Sequence, residues 1–183
     1  MEKFRIYIKS DKFVWTRSRI ILSVLISTLL AFGLEDLIFK EIQDNFINKI
    51  IMILMILSFG LGIINNFLKE ELKGSLSGHI IFLNDKIQIA NKTYLLTDIR
   101  LIKFEGYDYK DRIILSNFPS GMFSSGVDNT LIIILNSGQK VLTNFQRNSI
   151  NDMRRIRKQA AIYMNQGKLI KQNYIDLISA EIF

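Results

Sequence analysis

Two long uncharged apolar runs, a switch from helical to alternating periodicity after them, and an amphipathic stretch near the C-terminus together predict the fold class. The expectation is a membrane α-helical hairpin followed by an α+β, mainly-β domain. That domain is expected to be an antiparallel barrel of about seven strands, capped by an amphipathic helix and a second short helix. Residues 50–64 contain no charge and, apart from Ser58, no strongly polar side chain. Residues 20–34 are interrupted only by Ser23, Ser27 and Thr28. With their apolar flanks both runs reach the roughly 17–25 residues that a spanning helix needs.

The chain of 183 residues divides on this reading into a basic N-terminal arm (1–19), a transmembrane hairpin (20–68) and a β-domain (74–183). The last part is long enough to bury a core of its own. The net charge of +7 is unevenly spread. Lys3, Arg5, Lys9, Lys12, Arg17 and Arg19 precede the first run, and Lys69 and Lys73 follow the second. Glu35, Asp36, Glu41 and Asp44 instead crowd the turn between them. Basic residues flanking spans favour the cytoplasmic side, which places both termini there in a multi-pass protein of the inner membrane. A cleaved signal peptide, with Ala31-Phe32-Gly33 as the cleavage site, fits less well. Its charged region would run to Arg19, and a second apolar run follows closely.

In the arm, Phe4, Ile6 and Ile8 alternate with charged or polar residues, a strand pattern consistent either with docking on the later domain or with a loose interfacial arm. Phe13 and Trp15 beside Arg17 and Arg19 suit an interfacial aromatic belt. Within the hairpin, Ser23, Ser27 and Ala31 recur every four residues, as do Ser58 and Gly62, giving a candidate helix-packing face for the hairpin or for a dimer. No ionisable residue lies at mid-depth, which disfavours conduction. Leu34, Leu37, Ile38, Ile42 and Phe46 keep helical spacing through the turn, so an amphipathic elbow competes there with a plain re-entry turn.

Beyond the charged segment 69–73, Gly74 and Gly78 act as breakers, and short β-prone runs follow at 79–83, 86–90, 93–96, 100–107, 112–115, 130–135 and 140–145. Asn136-Ser137-Gly138 is a hairpin turn between the last two. Ser149 with Asp152 three residues on marks a helix start of capping-box type. Ile150, Met153, Ile156, Ala160 and Tyr163 form its apolar stripe, and Gly167 ends it. Tyr174, Leu177, Ile178 and Ile182 mark the second helix.

A hairpin anchor followed by such strands and a closing helix resembles the bacterial pleckstrin-homology-like membrane proteins. The residues carrying the likeness are Ile80-Ile81-Phe82-Leu83-Asn84-Asp85-Lys86-Ile87-Gln88-Ile89, the segment Tyr94-x-x-x-Asp98-Ile99-x-x-Ile102, the hairpin 129–145 and the closing Tyr163-x-x-x-Gly167-Lys168-Leu169. The resemblance implies a scaffold or adaptor at the inner membrane face, with no catalytic residues to carry over. The turn Asn84-Asp85-Lys86 lacks the basic cluster that lipid-binding pleckstrin domains place there.

The residues themselves supply little chemistry. There is no cysteine and one histidine, His79, so neither a thiolate site nor a histidine zinc site can be assembled, and no cofactor or metal is expected. No phosphate-cradling glycine motif is present. The segment Met122, Phe123, Ser124, Ser125 and Gly126, in a Gly/Ser-rich loop with the only proline, is the candidate partner-binding loop. It could present an apolar plug to a partner or backbone amides to an anion. Arg17, Arg19, Arg154, Arg155, Arg157 and Lys158 are candidate membrane-surface contacts. Expected partners are membrane lipids around the hairpin, a protein partner and a second copy of the chain; nucleic acid is not expected. A non-catalytic adaptor or assembly module is the leading expectation. An immunity or stress-resistance protein whose hairpin is the working part, and a lipid-headgroup or small-ligand sensor, are its rivals.

Overall fold

The alternation in the N-terminal arm resolves into a strand at the centre of a sheet. The computed structural model describes residues 2–38, 45–115 and 118–179. In it, β1 (Lys3–Lys9) pairs antiparallel with β2 (Gly74–Phe82) on one side and with β9 (Lys140–Phe145) on the other. Phe4 and Ile6 are buried while Lys3 and Arg5 are exposed, as period two requires. Pairing shifts between Arg5, opposite His79, and Tyr7, opposite Leu76. Gly78, at φ +74, lies at this irregularity, so a residue expected to break the strand instead lets it bulge.

The chain forms two compact units. One comprises Met1–Asp11, Gly74–Arg112 and Ser124–Phe183, and the other comprises Lys12–Lys73 and Ile113–Phe123. The expected boundaries are therefore redrawn. The arm 1–19 is split at residue 11, and the expected 74–183 domain gives up an internal segment to the helical unit.

In the first unit, β3 (Lys86–Ile89), β4 (Lys92–Leu95), β5 (Ile99–Glu105) and β8 (Asn129–Leu135) complete a seven-stranded antiparallel sheet ordered β4-β3-β2-β1-β9-β8-β5. Its two edge strands, β4 and β5, are consecutive in the chain, joined by a single 3-10 turn, Leu96–Asp98. Three residues reach only about 10 Å, so the sheet has to roll until its edges approach. The outer side of β5 is closed as well. Ile102 N–H donates to Lys168 O (2.7 Å), and the Asn173 amide bonds both Phe104 N–H (2.8 Å) and Phe104 O (2.9 Å) as an extra strand would. Short β6 (Lys110–Ile113) and β7 (Phe123–Ser125) make a separate ribbon; β7 carries no alternating pattern and was not foreseen.

The rolled sheet holds a core in which Phe4, Phe82, Phe104 and Phe145 meet ring to ring at 5.6–6.5 Å. Ile80, Ile87, Ile99, Ile102, Leu131 and Ile133 pack around them, fully buried. The closing segment starts as a 3-10 turn over Ile150–Ile156 and becomes α3 (Arg157–Asn165). Its apolar residues at 150, 153 and 156 are three apart, the 3-10 period, and only later does the spacing lengthen to four. Asp152 accepts from Ser149 N–H (3.1 Å), as the capping-box spacing predicts. Gly167, at φ +70, ends α3 in a Schellman arrangement, with Lys168 N–H on Tyr163 O and Gly167 N–H on Met164 O. Fully buried Tyr163 donates its hydroxyl to Leu83 O (2.5 Å). α4 (Lys171–Ser179) then packs Leu177 into the core.

The helical unit contains α1 (Arg17–Ile38) and α2 (Asn45–Asn66). Each is 22 residues, about 33 Å long at 1.5 Å per residue, and each is long and apolar enough to cross a membrane. The apolar windows of these helices are only 6% and 17% buried, whereas a soluble core helix of this length would be mostly covered. The expected elbow falls mainly at residues 39–44, outside the described residues.

Because Phe4 meets both Phe82 and Phe145, Phe4→Ala should cost about 3–5 kcal/mol. The expected readout in the detergent-solubilised full chain is faster amide exchange in β2 and β9 together; unchanged exchange there would mean that β1 is not integral to the sheet.

Candidate functional site

The helices of the second unit meet along a regular seam. In α2 the residues at least partly shielded from solvent include Asn48, Ile51, Met55, Ser58, Gly60, Gly62, Asn65 and Asn66, and in α1 Ser18, Arg19, Ile21, Leu25 and Thr28. Within these sets Asn48, Ile51, Met55 and Ser58, and Ser18, Ile21, Leu25 and Thr28, keep the three-and-four spacing of a heptad. Ser58 is buried, and the atoms nearest a Cβ at Gly62 would be those of the Phe118 ring. Ser23, Ser27 and Ala31 are exposed, and the intramolecular packing uses the neighbouring stripe instead. A four-residue repeat drifts around a helix, whereas the alternating repeat stays on one side. The seam's polar members are satisfied locally, Thr28 on Leu25 O (2.9 Å) and Ser58 on Met55 O (3.0 Å).

Where α1 begins and α2 ends, polar groups tie the two helices together. The Glu71 carboxylate accepts from the Arg17 backbone N–H and pairs with Arg17 Nε (2.8 Å), capping the positive end of α1. Arg17 also donates to Lys69 O (3.0 Å). Arg19 donates to Val14 O (2.7 Å) and sits over the Phe13 ring at 4.3 Å; Phe13 in turn packs edge-on to Trp15 at 5.1 Å. Both expected surface cations of the arm are thus engaged within the unit.

The segment Ile113–Phe123 is a strap folded against the end of α2. Met122 N–H donates to Asn66 O (2.8 Å), Glu70 N–H donates to Phe123 O (2.7 Å), and Ile114 N–H crosses the strap to Met122 O (2.8 Å). Buried Asn65 donates to Pro119 O (2.5 Å) and to Ser18 Oγ (2.9 Å). The Phe118 ring lies 5.4 Å from Phe59 and rests on Gly62, where a Cβ would come within 2.3 Å of the ring. Gly121 is similarly constrained, since its Cβ would lie 2.4 Å from Leu68 O.

In the first unit, the two roots of this strap are held by a buried polar node. Arg147 accepts from Lys110 N–H (3.0 Å) through its carbonyl and donates its own N–H to Gly126 O (2.8 Å). Asn129, 1% exposed, accepts from Asp108 N–H (3.0 Å) and donates to Asp108 O (2.9 Å) and Gly126 O (3.1 Å). Ser124 donates to Asp108 Oδ2 (2.6 Å) and accepts from Gly126 N–H (2.9 Å). Gln146 reaches Ser125 O (2.9 Å). Arg147 is 3% exposed; burial lowers its pKa, and Asp152 and Asp108 offset this by favouring the charge. Its Nη2 donates to Ile150 O (2.7 Å), while Nε has no hydrogen-bond partner among the described residues.

Several groups of the candidate partner loop have partners within the chain. Met122 and Phe123 anchor the strap through their backbones, Ser124 and Gly126 are buried in the node, and the Gly126 amide proposed for an anion is already bonded to Ser124. The exposed apolar positions lie earlier, at Ile113, Leu115 and Phe118. Arg154, Arg155, Arg157 and Lys158 are exposed as expected, with Arg155 between Glu2 and Asp152 at 3.6 Å each. Asn65, Asn129 and Arg147 escaped notice because a lone polar residue beside an apolar run gives no periodic signal. Among the described residues no group of three His, Cys, Asp or Glu side chains could hold a metal. No family model, curated protein or solved structure matches this chain.

Asn129→Ala removes the hydrogen bonds that close the node and leaves buried backbone groups unpaired. Its expected cost is about 2–3 kcal/mol, read as a lower denaturation midpoint at unchanged m-value. An unaltered midpoint would show that the node is dispensable.

Proposed function

We propose that this chain is a two-pass membrane protein that mounts a rolled β-domain at the cytoplasmic face, as a non-catalytic adaptor or assembly module. One observation carries the reading. Lys9, the last residue of β1, is paired with Gly74, the first of β2, so the whole of residues 10–73 is an excursion out of one antiparallel strand pair. An excursion that leaves and rejoins the same strand pair crosses a bilayer an even number of times. Two helices of spanning length, exposed along their apolar faces, fit that requirement with one crossing each. The basic flanks and the acidic turn then favour both termini on the cytoplasmic side.

The pleckstrin-like reading of the β-domain is part of the proposal. A seven-stranded rolled sheet with a helical segment closing it supports this reading, with the added feature that one of the central strands precedes the anchor. Such a domain works by presenting surface rather than by turnover, and the exposed cations of the 154–158 stretch suit a position near anionic headgroups.

Since the chain has no cysteine, single introduced thiols report sidedness cleanly. Glu2→Cys and Ser137→Cys should both resist an impermeant maleimide in intact cells and both react in inverted vesicles, while Asp36→Cys does the reverse. Opposite behaviour of Glu2 and Ser137 would rule out an even number of crossings. For the adaptor role, an unrelated two-pass anchor replacing residues 17–66 should leave crosslinked partners of the β-domain unchanged; their loss would transfer the activity to the hairpin.

A further inference from the structure

The strap carries apolar side chains that are exposed among the described residues. Ile113 is 67% exposed, Leu115 is completely exposed and Phe118 is 39% exposed. Phe118 nevertheless packs on α2, against Phe59 and Gly62. Gly62 and Phe59 precede the end of α2 at Asn66 by four and seven residues, which at 1.5 Å per residue places the ring about 6–10 Å inside that end. The face of α2 that Phe118 joins is itself apolar and exposed, with Phe59 at 52% and Ile63 at 44%. A prong lying on such a face shares its solvent.

The backbone of the strap is also provided for in a way that an aqueous loop would not need. Backbone polar groups in an apolar medium must find partners within the protein. Pro119 has no N–H, and its carbonyl takes the buried Asn65 amide at 2.5 Å. Ile114 and Met122 N–H donate to Met122 O and Asn66 O respectively. A water-exposed turn would leave these groups to solvent at little cost.

Resting on the membrane-spanning reading of α1 and α2, we propose that Ile113, Leu115 and Phe118 form a third membrane-embedded element. They enter the acyl chains of the leaflet in which α1 begins and α2 ends. Interfacial elements reach about 5–10 Å deep, which matches the placement of the Phe118 ring against Phe59 and Gly62 near the end of α2. Asn65 is the positioning residue, holding the Pro119 carbonyl to the end of α2. The β-domain is then attached to the membrane through the strap as well as through the covalent ends of the hairpin.

The test uses the full chain in proteoliposomes, with an environment-sensitive fluorophore on single cysteines and phospholipids brominated at shallow or deep acyl positions. Leu115→Cys and, separately, Ile113→Cys should lose most of their emission to shallow bromines and less to deep ones. Leu57→Cys, mid-span in α2, should show the opposite order, and Ser137→Cys, in an exposed turn, should be quenched by neither. If Leu57 is quenched while Leu115 and Ile113 behave like Ser137, the strap inference is overturned and the spanning helices stand. If Leu57 is not quenched either, the spanning reading fails and the strap inference fails with it.

Discussion

The pairing of Lys9 with Gly74 is the constraint on which the rest depends. A sheet needs every buried backbone donor and acceptor satisfied, and this one is satisfied only when a strand from before the helices lies between β2 and β9. The helices therefore cannot be an appendage on a finished domain. They are the connection within a β-hairpin, enlarged to two long apolar helices. Such a closure is costly in loop entropy only logarithmically with length, so ladder bonds and the Phe4 contacts offset it easily. The consequence is mutual: an unformed helical pair leaves β1 and β2 far apart in the chain, and an absent β1 opens the core between Phe82 and Phe145.

The same economy of chain appears at the second crossing between units. The segment Ile113–Phe123 leaves β6 and returns as β7, and both roots are fixed to Arg147 and Asn129 by buried hydrogen bonds. Burying an arginine is expensive unless its charge is compensated. Here Asp108 and Asp152 oppose the desolvation, and the Arg147 backbone does most of the connecting. The node supplies hydrogen bonds at the roots, and Asn65 and Asn66 at the end of α2 bond Pro119 and Met122 of the strap.

Edge protection is the third feature of the design. Antiparallel sheets expose adhesive borders, and here β4 and β5 are drawn together by a three-residue turn while Asn173 and Lys168 occupy the outer side of β5. The backbone of β5 is thereby paired on both sides.

Much of this was legible in the sequence. The apolar runs, the flanking charges, most of the strands, the capping box and Gly167 are local signals, since each depends on periodicity or on the conformational limits of one residue type. What tertiary structure alone decided is where these pieces meet. Alternation in residues 2–9 identifies a strand but not its neighbours, because ladder bonds are identical whichever strand supplies them. The four-residue spacing of Ser23, Ser27 and Ala31 marks a stripe of α1 that is exposed, since which stripe a single chain covers depends on the partner helix. Met122 and Phe123 looked like an exposed plug because a Gly/Ser-rich stretch carries no period, and only the fold shows that their backbone groups are engaged by Asn66 at the end of α2 and by Glu70. Asn65, at the end of an apolar run, gives no periodic signal; its role appears only when Pro119, 54 residues away, is brought to its side chain.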